Sequence, residues 1–344
     1  MFKRILKVLL AVVLVLALLV VAAAVAYKVI YAGVPYAEVA ATGQDSLVVP
    51  ADLQKRDTNI KVMTYNIRLL TREKWREHYW SNRREPMIGQ LERLDADIIG
   101  FQEVTHPQYK YLIEHLGDEY GHYGLYRSGL NRERGDRIIS DPDPEPTLLN
   151  MLRISIVDEG SPIFYRKSRF ELLDCETFWL REDPEKPGRG WDARVRRVCS
   201  AVKLKDHYTG EIIAVYNTHF DHIGEMARQN SAALIYETSE QAKGIPLVMG
   251  DFNSPEGSSA YKTLISGALT DARYLSPAEQ RDSGPTFNDF GQSEQELPID
   301  FIFTNERYFR VLSYRIITET YAEDTYISDH YPVLVELAYT KFTE

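Results

Sequence analysis

The longest apolar stretch comes first in the chain. Val8 to Tyr27 is an unbroken run of twenty apolar or weakly polar residues. As a helix rising ~1.5 Å per residue, a run of that length spans a bilayer core. Lys3, Arg4 and Lys7 precede it and only Lys28 follows closely, a bias that keeps the N-terminus cytoplasmic and exports the rest. The pattern predicts a single transmembrane anchor within residues 1–33. The alanines around Ala22–Ala26 also fit a signal-cleavage site, so a removed signal peptide is the alternative. Residues 34–58 contain Pro35, Gly43 and Pro50 without sustained period and read as a linker.

From Asn59 the pattern changes to short β-type runs separated by turns and a few helices. Ile60 to Asn66 alternates and then stops on a polar residue, as a strand does. Met87, Ile88, Leu91 and Leu94 recur at helical spacing within 83–94, and 109–116 reads as a second helix. Residues 97–103 form a buried strand ending in an acid. Further strands are expected at 162–165, 170–173, 198–204, 212–218, 246–249, 301–304 and 333–337, with a helix over 226–243. Residues 127–158 carry Asp141-Pro-Asp-Pro-Glu-Pro146 and read as a surface loop. No Pro/Gly/Ser-rich break follows residue 59, so 59–344 is assigned to one mixed α/β domain.

Composition narrows the picture. The chain is 44% hydrophobic and 26% charged, which excludes a disordered chain. Two cysteines exclude a disulfide-rich scaffold and a four-cysteine zinc site. Whether Cys175 and Cys199 bond to each other is left open. The net charge is −10, so no global basic field attracts nucleic acid.

Several apolar runs end on a residue able to do chemistry: Asn66, Glu103, His219, Asp251 with Asn253, Asp300, and Asp329 with His330. One such ending is routine; the whole set predicts a cluster on one rim of a sheet. Glu103, Asp329 and the Asn66 amide oxygen are hard ligands suited to Mg²⁺ or Mn²⁺. His219 and His330 are acid–base candidates, and Asp251 with Asn253 can orient water or a phosphoryl oxygen. Together they describe metal-assisted attack of water on a phosphate ester. A zinc hydrolase is disfavoured, because His and Cys are scarce at ligand spacing. His78, His106, His115, His122 and His207 have no such company and read as surface residues.

The same residues carry a resemblance. Thr64-Tyr-Asn66-Ile-Arg68, Gly100-Phe-Gln-Glu103-Val, Asn217-Thr-His219-Phe-Asp-His222, Gly250-Asp251-Phe-Asn253-Ser, Ile299-Asp300-Phe-Ile and Ser328-Asp329-His330-Tyr-Pro occur in that order. This text resembles the endonuclease/exonuclease/phosphatase superfamily, the DNase I-like hydrolases, over residues 60–338. Phe178-Trp-Leu-Arg-Glu-Asp-Pro184 is similar to a signature of its bacterial exported members. The resemblance implies a four-layer α/β sandwich with two packed mixed β-sheets. It also implies a phosphodiesterase at or outside a bacterial cell membrane, or in the periplasm or secreted if the N-terminus is cleaved. An exported nuclease and a non-catalytic surface-binding module are the alternatives. Lipid head groups, nucleic acid and sugar phosphates are the candidate substrates, and no obligate protein partner is indicated.

By the same resemblance, Asn66, Glu103 and Asp329 would hold the cation. Asp300 would orient His330, Glu159 would partner His219, and Arg197 and Asn217 would bind substrate. Each carboxylate partner should raise the pKa of its histidine. Two departures from the subgroup touch the substrate rim: the Pro-rich text within 127–150, and Arg181 where relatives carry serine.

The topology is testable directly. A periplasm-only reporter fused after residue 58 should be active; cytoplasmic reporter activity at that junction would overturn export.

Overall fold

Interior strands of this chain are buried on both faces, so their sequences are nearly continuous apolar runs. The clearest is Ile245–Asp251, in which every residue is buried. The computed structural model describes residues 58–129 and 158–342, apart from Arg72, Glu323 and Asp324. The expected membrane helix and almost all of the linker and the 127–158 loop lie outside the described residues. Among the described residues, no helix is long and apolar enough to cross a membrane.

In chain order the strands are β1 (Ile60–Asn66), β2 (Ile98–Gln102), β3 (Val104–Thr105), β4 (Tyr120–Tyr123), β5 (Glu159–Gly160), β6 (Ile163–Arg166) and β7 (Phe170–Trp179). They continue with β8 (Val198–Asp206), β9 (Ile212–His219), β10 (Ile245–Asp251), β11 (Thr270–Asp271), β12 (Asp300–Thr304), β13 (Phe309–Ile316) and β14 (Val333–Tyr339). The helices are α1 (Trp80–Leu94), α2 (His106–Leu116), α3 (Glu225–Glu240), α4 (Ser259–Leu264) and α5 (Ala272–Leu275).

Two mixed sheets result, ordered β13-β14-β1-β2-β6-β4 and β11-β12-β10-β9-β8-β7. Each contains one parallel pair, β1 with β2 and β9 with β10. A parallel pair needs a crossover, and α1 and α3 supply it. Side-chain parity then builds the layers. Val62, Ile98, Val215, Leu247, Ile302 and Val335 fill the seam between the sheets. The opposite parity of the first sheet, Met63, Tyr65, Ile99 and Phe101, packs under Met87 and Leu91 of α1 and Leu112 of α2. The second sheet packs Tyr216, Val248, Phe301 and Phe303 against Ile235 of α3 and Leu264 of α4. The architecture is the expected α/β sandwich of two packed mixed sheets.

Element boundaries moved where local chemistry outweighed periodicity. Helix α2 starts at His106, three residues earlier than its apolar spacing suggests, because Thr105 and Gln108 form a capping box. Strand β7 runs on to Trp179, and β13 is an additional strand. Both are edge strands, whose solvent-facing positions Glu171 and Asp174, or Arg310 and Arg315, hide the strand signal. Cys175 and Cys199 are both free. Register sets Cys175 opposite Val202 and Cys199 opposite Phe178, so the thiols are not paired across the strands.

One expected substrate ligand is a structural tie instead. Asn217 shares the inward parity of Val215 but lies one step below the strand end, and it is fully buried. Its amide nitrogen donates to the carbonyls of Phe101, Ser161 and Pro162 at 2.8, 3.1 and 3.0 Å, all on the other sheet's side of the seam. Its oxygen accepts from Gln102 Nε2 at 2.7 Å. Gly100 makes this approach feasible, since a Cβ there would meet Asn217 Oδ1 at 2.6 Å. With both polar atoms committed inside, Asn217 has nothing to offer a substrate.

Asn217→Ala leaves these buried groups unpaired and should cost at least ~2 kcal/mol in urea unfolding. The KM of the folded variant should stay at the wild-type value. An unchanged unfolding midpoint would contradict the cross-sheet role.

Candidate active site

Strand register assembles the site. On β10, Asp251 pairs with His219 of parallel β9 on one side and with Asp300 of antiparallel β12 on the other. Asn66 closes β1 beside Gln102, and Glu103 follows directly. Asn66, His219, Asp251 and Asp300 share the inward parity of their strands, so they converge at one mouth of the seam. Past three of these strand ends the chain turns sharply: Arg68, Glu103 and Asn253 have φ of 57°, 60° and 45°. Left-handed backbone at non-glycine residues is strained, and it concentrates where side chains must be re-aimed.

One half of the mouth is acidic. Asn66 Nδ2 donates to Asp251 Oδ2 at 2.9 Å and to Glu103 Oε1 at 3.3 Å. Glu103 Oε2 accepts from the Leu69 N–H at 2.8 Å. Asp329 lies 3.3 Å from Arg68 Nη1. Burial, and then the neighbouring Asp300 charge, push the Asp251 carboxyl up to about 7. His330 sits between these acids, with Nδ1 2.9 Å from Asp300 Oδ2 and Nε2 3.7 Å from Asp251 Oδ2. Burial alone would drive this imidazole neutral; Asp300 and Asp251 outweigh it and push it up to about 10. The expected Asp300–His330 pair is present, and the two carboxylates favour the protonated ring.

The other half is basic, and here the expected pairing fails. Glu159 Oε1 accepts from Arg127 Nη1 at 2.7 Å and Arg197 Nη1 at 3.0 Å. His219 Nδ1 lies 3.9 Å from the same oxygen and has no hydrogen-bond partner. Guanidinium donors have taken the carboxylate. Burial, with Arg197 next in weight, holds the His219 pKa well below its ordinary value instead of raising it. The tautomer follows from Asn253. Its Nδ2 donates to the Phe220 carbonyl at 3.0 Å, so the same group must also donate to His219 Nε2 at 2.9 Å. His219 is therefore neutral, with its proton on Nδ1. Its Nε2 lies 3.4 Å from Asp251 Oδ2, so Asp251 stands between one neutral and one charged imidazole.

The remaining predicted residues sort plainly. Arg197 is buried near His219, with Nη2 3.5 Å from His222 Nδ1. Asn217 lies beneath the mouth. Arg127 and Arg68 join the site although neither was a candidate. Arg68 stands inside the Thr64–Arg68 motif, whereas Arg127 lies in a loop with no pattern to mark it. His78 and His106 are buried, contrary to the surface reading: His78 stacks on Phe290 at 4.0 Å, and His106 meets the Tyr126 hydroxyl at 3.2 Å.

The donor set fits a hard divalent cation. Glu103 and Asp251 share the Asn66 amide, Asp251 and Asp300 are direct strand partners, and Asp300 Oδ1 is buried without a partner. Asp251, Asp300 and His330 bring ligand-type atoms within 4.8 Å of one another, but a ring favoured in its protonated form is no ligand, which leaves the carboxylates. Oxygen-rich acids forced into proximity are the environment that Mg²⁺ or Mn²⁺ relieves.

Comparison with known proteins finds a family match. A model described as "Endonuclease/Exonuclease/phosphatase family" matches residues 63–330. The chain is similar to a solved endonuclease/exonuclease/phosphatase from Bacteroides vulgatus, with 32% identity and a TM-score of 0.68, covering 82% of this chain and 99% of that one. It is also similar to a mannosyl-6-phosphatase from Bacteroides thetaiotaomicron, with 30% identity and a TM-score of 0.66, covering 81% and 99%. Among curated proteins it is 24% identical over 237 residues to an uncharacterized protein of Acanthamoeba polyphaga mimivirus, covering 60% of this chain. The chain spans only 32% of that relative's length.

Histidine-labelled NMR of the metal-free protein should separate the two rings. His330 should remain protonated through neutral pH and lose its proton only near pH 10. His219 should stay neutral down to a pH well below the usual ~6.5. Titration of His219 above that ordinary value would restore the Glu159 pairing.

Proposed function

Because this chain belongs to the endonuclease/exonuclease/phosphatase family and is a phosphoester hydrolase, we propose that it works with a divalent cation held by Asn66, Glu103 and Asp329. Bound there, Mg²⁺ or Mn²⁺ would polarise the phosphoryl group and offset its charge. The supporting observation is Asp251, buried between a neutral and a charged imidazole. A carboxylate with a pKa near neutrality can orient a water molecule and accept its proton. His330, held by Asp300, presents a cationic N–H from Nε2 to a phosphoryl oxygen. Asn253 holds the His219 ring in place by donating to its Nε2. His219 adds a neutral hydrogen-bonding face instead of a second charge, and Arg197 an electropositive wall.

We take the scissile bond to be a phosphodiester. A phosphomonoester is the second reading, favoured by the similarity to the mannosyl-6-phosphatase. A duplex nuclease fits less well, since a chain of net charge −10 lacks the usual basic footprint. The N-terminal apolar run and its flanking charges support a site of action outside the cytoplasm, on a membrane anchor.

The test is hydrolysis of an aryl phosphodiester and an aryl phosphomonoester by the full-length chain, with Mg²⁺ and with EDTA. EDTA should abolish turnover and added Mg²⁺ restore it. Glu103→Gln should lower activity by at least ~10-fold and shift the metal titration to higher concentration. Full activity in EDTA, or an unmoved titration, counts against the cation; the ratio of the two substrates decides the ester class.

A further inference from the structure

Asp300 and His330 come from different parts of the chain, yet their side chains meet at 2.9 Å. Strand β12 carries one and the turn before β14 carries the other. A third segment, Thr286–Asp289, touches both. The Thr286 hydroxyl oxygen accepts from the N–H groups of Ile299 and Asp300 at 3.0 and 3.1 Å. The Thr286 carbonyl accepts from the Tyr331 N–H at 2.7 Å. Phe287 forms an antiparallel bridge with His330, and their rings pack edge to face at 5.0 Å. Asn288 and Asp289 donate backbone N–H groups to the Asp329 carbonyl at 2.7 and 3.1 Å. Thr286 itself is fully buried.

We propose that Thr286 is the positioning residue of the Asp300–His330 pair: its hydroxyl fixes the backbone of Asp300 while its carbonyl fixes the turn of His330. Serine, threonine and asparagine are common in loops because they bond nearby backbone. Here the side chain and the backbone of one residue serve two different partners, so the distance between those partners is set through a single point. The hydroxyl oxygen receives two buried N–H groups, and an apolar replacement leaves both without an acceptor. Asp300 would then settle elsewhere, and a misplacement of ~1 Å in a catalytic constellation costs up to ~10²-fold.

This inference rests on the hydrolase reading for its kinetic arm but not for its spectroscopic one. In the full-length chain, Thr286→Val keeps the shape and the carbonyl and removes the acceptor. Its kcat should fall at least ~10-fold while KM stays within ~3-fold. Thr286→Ser should restore kcat to within ~3-fold of wild type, since it returns the hydroxyl. In an Asp300→Asn background the Thr286→Val loss should largely vanish, because the two act as one unit. Independently of turnover, the low-field Nδ1–H resonance of His330 should move or disappear in Thr286→Val and return in Thr286→Ser. A Thr286→Val protein with wild-type kcat and an unmoved resonance overturns the proposal. So does a Thr286→Ser protein as impaired as Thr286→Val, which would assign the effect to the methyl group. If Thr286→Val and Thr286→Ala both fail to fold, Thr286 is a determinant of the fold and a positioning role is refuted. If wild type hydrolyses no ester while the resonance behaves as described, the hydrolase reading fails and the positioning role stands.

Discussion

Asp251 is almost completely buried beside Asp300, and buried carboxylates repel each other without water to screen them. Parallel and antiparallel register leaves these two no freedom to separate, because they are direct partners across β10 and β12. The rest of the mouth answers this repulsion. His330 enters as an internal cation, hydrogen-bonded to Asp300 and facing Asp251. Asn66 donates to Asp251 from the other sheet. Arg68 lies against Asp329. The surplus of oxygen ligands that remains is the physical case for a divalent cation.

The two histidines illustrate how environment divides labour between identical side chains. Both are buried at the same rim and both lie within 4 Å of a carboxylate oxygen. For His330 the carboxylate is available, and the ring is charged. For His219 the carboxylate is already bonded to two guanidiniums, and the ring is neutral. The difference is one of competition for Glu159, decided by Arg127 and Arg197.

A polar floor lies one step beneath the mouth. Gln102 donates to Thr64 Oγ1 at 2.9 Å and to Asn217 Oδ1 at 2.7 Å, and Asn217 reaches across the seam to three carbonyls. Arg83, fully buried on α1, donates to the carbonyls of Ile67 at 2.9 Å and Ile327 at 2.8 Å. It thereby ties the end of β1 to the turn that carries Asp329. Such satisfied buried donors stiffen the base on which the strained turns at Arg68, Glu103 and Asn253 stand.

The sequence by itself determined the residue types and their periods. Apolar parity marked the interior strands, and the polar residues at or beside their ends marked Asn66, Glu103, His219, Asp251, Asp300 and His330. These follow from chain-local rules: a strand alternates, and a polar residue interrupts an apolar run. The tertiary structure alone decided depth and partnership. Asn217 and His219 share one parity, and only the packing of the sheets puts the first beneath the mouth and the second in it. Glu159 was legible as a carboxylate near His219, but not as one already bound by Arg127 from a loop without pattern. Burial of His78 and His106 and the edge strand β13 were hidden for the same reason. Hydrogen-bond competition and burial are properties of three-dimensional neighbourhoods, and linear spacing does not encode which neighbour arrives first.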